Sequence, residues 1–217
     1  MLSASVQGGA GSRPLAPACS TAPGSVGRVT TSDSASDAGG AAGAVTVRAA
    51  VDERERSAVI RGEFRSDTVY DVTVSESGFD LSPRPLDPPV HKVFPDDEPA
   101  GEEPGNGHRI VAVAGERVCG YVDTEYEPWN RRLVVADIEV AGPWQGRGIG
   151  RALMSHAVER ARACGAGHVW LEVTNINAPA IRAYRRMGFA FCGLDTTLYR
   201  GTASEGETAL FMSLPLD

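Results

Sequence analysis

Apolar and polar residues alternate with a period of two along several stretches of this chain, the spacing of half-buried strands. Val45-Thr46-Val47-Arg48, Val69 to Ser75, Phe79-Asp80-Leu81, Arg109 to Ala114, Arg117 to Tyr126 and Arg132 to Ala141 carry the pattern, with turn signals at Ser77-Gly78 and Gly115-Glu116. Helical spacing is read over Asp52 to Phe64, with Val51, Ala58, Val59 and Phe64 as core contacts. It returns over 150–164, where Leu153, Ala157, Val158 and Ala161 share a face, and over Ala178 to Met187. Gly165, Gly167 and Gly188 end the last two. His168 to Thr174, Cys192 to Tyr199 and Glu207 to Leu214 complete the predicted strands. Strands and helices alternate in the C-terminal half, which predicts an α/β fold with a mixed central β-sheet flanked by helices.

Two segments break the pattern. Residues 1–44 are dominated by Gly, Ala, Ser, Thr and Pro, too poor in large apolar side chains to offset the entropy of ordering, so a disordered tail is expected before a single domain at 45–217. Residues 82–108 are rich in Pro, Gly and acids and read as a long acidic loop. No run of about 18 apolar residues is present and the N-terminus lacks a basic-then-apolar segment, so a cytoplasmic protein without a membrane span is expected. The formal net charge of −7 disfavours nucleic acid as a partner and suits a cationic substrate. Cys19, Cys119, Cys164 and Cys192 stand apart without metal or redox spacing and are expected to be reduced. His91, His108, His156 and His168 likewise show no ligand spacing, so no metal is expected.

The chemistry begins at Gln145-Gly146-Arg147-Gly148-Ile149-Gly150. This glycine-rich turn lies between a predicted strand and a predicted helix, so its main-chain N–H groups converge on one point with the positive end of the helix dipole behind them. Arg147 and Arg151 add charge, and a pyrophosphate is the anion such a turn suits. A bare helix-entry turn would use the same glycines. Downstream, Asn177, Ala180 and Tyr184 fall on one helix face, placing an amide, a small residue and a phenol along one groove. Taken alone, Tyr184 is equally a core aromatic.

On the strand Leu133 to Val140, strict alternation puts Val135, Asp137 and Glu139 on one face, and Val134, Ala136, Ile138 and Val140 on the apolar face that should pack on the core. On the next strand His168, Trp170, Glu172 and Thr174 share a face. If the two strands are neighbours, three acids and an indole converge, a pocket for a dication. Salt bridges to Arg131, Arg132 or Arg182 would occupy the acids otherwise. Asp137 and Glu139 are the candidates for ammonium binding or proton removal, and Tyr126 and Trp129 the candidate walls of the acceptor pocket.

Together, Gln-x-x-Gly-x-Gly after a strand and Asn-x-x-Ala-x-x-x-Tyr-x-x-x-Gly-Phe over 177–189 resemble the GCN5-related N-acetyltransferase superfamily. Trp129 to Leu133, Asp137 to Val140, Trp170 to Asn175, Cys192 to Asp195, Gly201 to Ser204, Asp87-Pro88-Pro89 and Lys92 to Pro95 resemble, more narrowly, the streptothricin acetyltransferases. The resemblance implies acetyl-CoA held in a cleft between two splayed parallel strands. Its pyrophosphate would lie on the amides of residues 146–151, its pantetheine arm along Ile138 to Val140, and its thioester beside Asn177, Ala180 and Tyr184. It also implies that the Val140 amide polarises the thioester, that Tyr184 protonates the departing thiolate, and that transfer is direct, in a ternary complex, to the β-amino group of a small cationic antibiotic. Ala136 departs from the pattern, since relatives commonly carry an acid there. A lysine-peptide acetyltransferase and a non-catalytic CoA-binding regulator stay open, as does a homodimer.

Overall fold

A computed structural model describes residues 27–29, 44–94 and 107–217. Strands β1 (Gly27–Val29), β2 (Val45–Ala49), β5 (His108–Ala114), β6 (Arg117–Glu127), β7 (Arg132–Val140), β8 (His168–Thr174), β9 (Ala190–Asp195) and β10 (Ala209–Pro215) form one sheet in the order β1-β2-β5-β6-β7-β8-β10-β9. Strands β3 (Glu63–Ser75) and β4 (Gly78–Val93) pair only with each other. The helices are α1 (Glu53–Arg56), α2 (Ile149–Ala163) and α3 (Ala178–Arg186). Most of the tail expected at 1–44 lies outside the described residues, but Gly27–Val29 pairs antiparallel with β2.

The strand–helix–strand unit β7–α2–β8 gives the sheet its parallel pair. Leu133, Val135, Leu153, Met154, Ala157, Ala161, Val169 and Leu171 are buried in one cluster, which also takes Ala178 and Ile181 of α3. Both helices therefore bury their apolar stripes into the same core, as their periodicity required. Pro179 opens α3, where its missing N–H costs nothing, and the Asn177 side chain caps it by accepting from Ala180 N at 3.2 Å.

The sequence expectation fails in four places. The helix predicted over Asp52 to Phe64 is a single turn. Asp52 caps it, but the Glu55 carboxylate is pinned to β2 by both Arg48 nitrogens at 2.7 Å, and Ala58 O accepts from Arg109 at 2.6 Å, which draws the following chain flat. Val51 and Val59 are left exposed and Phe64 belongs to β3. The acidic loop expected at 82–108 is strand as far as Val93, and residues 95–106 lie outside the described ones. The strand expected at Cys192 to Tyr199 stops at Asp195, whose carboxylate accepts from Thr197 N and Oγ1 at 2.7 Å each and turns the chain. Cys119 and Cys192 are free thiols as expected, but Cys164 is disulfide-bonded.

Candidate active site

The last paired residues of β7 and β8 are Val135 and Leu171. Beyond them β7 continues to Val140 against β6 alone, and β8 continues against β10, so the two parallel strands part and leave the β8-facing edge of 136–140 without a strand partner. Residues 142–144 make a 3-10 turn, and the glycine turn follows. Gly146 and Gly148 sit at φ of 74° and 82° with nothing within 4 Å of where a Cβ would lie. Glycine is needed there for backbone conformation rather than for space. Gly148 caps α2 without a side-chain bond, and the first helical bond inward is Ala152 N to Gly148 O at 3.0 Å. The amides of 146–151 therefore face outward, uncapped, at the mouth of the parted strands. Ile149 is buried, Gly150 packs near Val140, and Arg147 and Arg151 are exposed, with Arg147 over the Trp144 ring at 5.3 Å. Gln145 does a different job: its amide nitrogen donates to Val140 O at 3.0 Å and to Glu63 O at 3.2 Å, tying the turn to β3.

The acids lie on the other face, with one change from the alternation expected. Asp123 pairs with Asp137, and Thr124 with Val135, so Ala136 is the extra residue of a bulge. Val135 is thereby turned onto the core face with Leu133, Ile138 and Val140, and it is buried. Asp137 and Glu139 remain together on the opposite face. The Asp137 carboxylate accepts from Tyr121 OH at 2.7 Å; Glu139 lies directly across from Tyr121. Burial pushes Asp137 up despite that bond, and burial together with the neighbouring Asp137 charge pushes Glu139 up to about 8. Across the gap Glu172 accepts from Tyr199 OH and is also pushed up by burial. Tyr184, on α3, is packed against the core with its ring 5.9 Å from Phe189. Burial, then the charges of Glu139, Asp137 and Glu172 in that order, hold its phenol protonated.

The structure sets Asp137 and Glu139 on β7 and Glu172 on β8 where these strands part, and Asn177, Ala180 and Tyr184 at the cap and along the helix that follows β8. It does not bring Tyr126 or Trp129 there. Tyr126 pairs with Leu133 and packs against the core, while Trp129 sits in the β6–β7 turn, 83% exposed, at the opposite end of β7. Trp170 is on the acid face but is already engaged, with Arg132 over its ring at 4.6 Å and Phe211 at 5.1 Å.

Sequence reasoning missed the cover. Hairpin β3–β4 crosses the acid face and walls it. A Cβ on Gly62 would run into the Glu139 carboxylate and reach 2.9 Å from Phe94 Cδ2, so a side chain there would displace Glu139 from its place under the hairpin. Phe94 N donates to Gly62 O at 2.9 Å, and Tyr70 N to Asn175 O at 2.9 Å. Lys92 of β4 is anchored by Glu207 at 2.5 Å and Ser204 at 2.7 Å, and Thr174 Oγ1 donates to the second oxygen of Glu207 at 2.5 Å. Among the described residues no cluster of His, Cys, Asp and Glu has a metal-binding arrangement, and no helix is long and apolar enough to cross a membrane.

Parted parallel strands, an uncapped glycine turn at the head of the crossover helix and a phenol on the next helix define an acyl-CoA-dependent transferase site. The chain belongs to the acetyltransferase (GNAT) family, whose model matches residues 74–189. It is an acetyltransferase, with acetyl-CoA as acyl donor. More narrowly, it is 55% identical over 161 residues to the streptothricin acetyltransferase of Streptomyces lavendulae, a match covering 71% of this chain and 85% of that one. The crystal structure of nourseothricin acetyltransferase superposes with a TM-score of 0.72 at 51% identity, over 80% of this chain and 99% of that one. A Bacillus anthracis structure in complex with acetyl coenzyme A, 19% identical, shares the fold at a TM-score of 0.64, over 80% of this chain and 98% of that one.

Proposed function

We propose that this protein acetylates the β-amino group of the β-lysine moiety of streptothricin, inactivating the antibiotic. The observation that carries the reading is that Asp137 and Glu139 share a face of β7 at its unpartnered edge, with Glu172 on the facing strand and Tyr184 on the helix that follows it. The chain fits the donor: outward amides at 146–151 suit a diphosphate, and the unpartnered edge of 136–140 offers main-chain groups to an extended amide-bearing arm. Acetyl-CoA supplies an acetyl thioester. The residues do the rest. An aliphatic amine with a pKa near 10.4 arrives protonated at pH 7. Asp137 and Glu172 draw it in and offset its desolvation, and its positive charge in turn favours the ionised form of Glu139. Its proton must leave before attack, and Glu139 or Asp137 is placed to take it. Tyr184, kept protonated, donates its hydrogen to the thiolate as the carbon–sulfur bond breaks. The Val140 amide is the candidate donor to the thioester oxygen.

The similarity to streptothricin and nourseothricin acetyltransferases supports the acceptor, and the β3–β4 cover supports a small molecule over an open peptide groove. The test is thiol release from acetyl-CoA with streptothricin, polyamines and lysine peptides side by side. Turnover should be fastest with streptothricin. A preference for lysine peptides, or donor binding without turnover of any amine, would overturn the assignment. Tyr184→Phe should lower kcat about 100-fold with acetyl-CoA affinity within about threefold, the size of a lost proton donor; an unchanged kcat would make the phenol structural.

A further inference from the structure

Two of the three acids in the gap are each held by a tyrosine, and the two tyrosines come from opposite sides of it. Tyr121 stands on β6, 5% exposed, and donates to Asp137 Oδ2 at 2.7 Å. Its ring is clamped by the Arg109 guanidinium 4.1 Å above it, and Arg109 is itself committed to both Asp123 oxygens at 2.7 and 2.5 Å and to Ala58 O. Arg109 therefore fixes the ring while its hydrogen bonds go to Asp123 and Ala58, and Asp137 feels its charge only from a distance. On the far side Tyr199 lies in the turn after β9 and donates to Glu172 Oε1. The nearby cation, Lys92, is spent on Glu207 and Ser204. Neither Asp137 nor Glu172 has an ion-pair partner among the described residues. Each has one oxygen held by a phenol. Glu172 has no main-chain partner among the described residues, whereas the Asp137 carboxylate also lies against the Ile138 N–H. Glu139, between them, accepts from no hydroxyl among the described residues.

We propose that Tyr121 and Tyr199 are positioning residues that hold Asp137 and Glu172 on the two sides of the parted strands as separate anchors, so that the acceptor is read as a molecule with two ammonium groups. Each phenol fixes its carboxylate's rotamer by one hydrogen bond and leaves acceptor capacity for an ammonium group. The hydroxyls take no part in transfer. This rests on the function proposed above and adds the residues that set its acceptor specificity.

Tyr121→Phe and Tyr199→Phe keep the ring and remove only the hydrogen bond. In each, KM for streptothricin should rise about tenfold, the usual worth of a hydrogen bond to a charged group, while KM for acetyl-CoA stays within twofold. For an acceptor carrying a single amine, Tyr199→Phe should leave KM within twofold. In the Glu172→Gln background Tyr199→Phe should add nothing further, because the phenol acts only through that carboxylate. A rise in KM for acetyl-CoA, an equal loss with the monoamine, or additive effects in the double variant would overturn the proposal. Should a phenylalanine variant fail to fold, Glu172→Gln, which removes an anchor and not a candidate base, carries the test through the same diamine-to-monoamine comparison; equal losses in KM on both acceptors would overturn it. If the wild-type enzyme does not turn over streptothricin, the underlying function fails; if it does and the phenylalanine variants match it, only this inference fails.

Discussion

On the side of the cleft proposed for the donor, the groups offered are main-chain amides between Gly146 and Arg151, set by two left-handed glycines and a helix start within a few residues of each other. On the acceptor side they are carboxylates and hydroxyls whose places depend on contacts such as Lys92 to Glu207, 115 residues apart. The proposed donor side would recognise a constant group with main-chain groups, which depend on local backbone conformation rather than on side-chain chemistry. The acceptor side must fit one cation and is assembled from charge, burial and a covering hairpin. Substitutions on the donor side should act through backbone conformation and be felt in acetyl-CoA binding. Those on the acceptor side should act through stability, acceptor KM and pH.

The largest effect is expected on the acceptor side, in folding. The Lys92 and Glu207 side chains are only 12% and 14% exposed. Lys92→Met would leave Glu207 buried with Thr174 alone, at a cost of about 3 kcal/mol in denaturant unfolding, the scale for one partner removed from a buried pair. Glu207→Gln in that background should restore part of it. A loss under about 1 kcal/mol would mean that the hairpin is held by other contacts and that the two sides are less different than proposed.

Next comes the donor side. Gly148→Val forces a β-branched residue to φ of 82° at the cap of α2. The strain is about 2 kcal/mol, and relieving it moves the amides. KM for acetyl-CoA should rise about 30-fold with KM for the acceptor within about threefold, read by steady-state kinetics. Equal losses on both substrates would erase the division.

Much of the donor side was legible in the sequence because its determinants are local. A positive-φ glycine, a proline at the first turn of α3 and an asparagine cap each announce themselves within four residues. The acceptor side was not, for three reasons. Pro83, Pro85, Pro88 and Pro89 suggested a loop, yet β4 has a single neighbour, so half its N–H groups have no ladder to break. Leu86 to Pro89 also bulge opposite Asp67, hiding the period of two. The bulge at Ala136 adds one residue to β7, which is invisible in a pattern and yet exchanged Val135 between faces. Finally, Tyr121 and Tyr199 read as ordinary strand aromatics, since nothing in their spacing tells which carboxylate lies within reach.

A subtler difference should show in pH. Glu139 is pushed up to about 8 by burial and Asp137. Its folded value lies above its unfolded one, so the folded state binds the extra proton. That contribution to stability is complete below about 4.5 and is lost as pH rises through about 8. Glu139→Gln should flatten the fall in stability across this window. In catalysis, wild-type kcat/KM for the acceptor should show a limb near pH 8 as Glu139 loses its proton; the variant should keep only the rise set by the amine near pH 10. A wild-type limb near 5 instead would mean that the carboxylate is not isolated from solvent or countercharge.

The smallest expected effect marks where the acceptor side ends. Trp129 is the aromatic that its place in the sequence most readily assigns to the acceptor pocket, just ahead of the strand that carries the acids. In the fold that nearness is along the chain only. Strand β7 runs from Arg132 to Val140, and at about 3.3 Å per residue its two ends lie some 25 Å apart. Trp129 is at the end away from Asp137 and Glu139, 83% exposed. Trp129→Ser should therefore change stability by less than about 0.5 kcal/mol and leave both KM values within twofold. A clear rise in KM for streptothricin alone would mean that the antibiotic, or a second copy of the chain, reaches along the whole of β7. The acceptor side would then be a surface rather than a covered gap, and the contrast with the donor side would have to be redrawn from that surface inward.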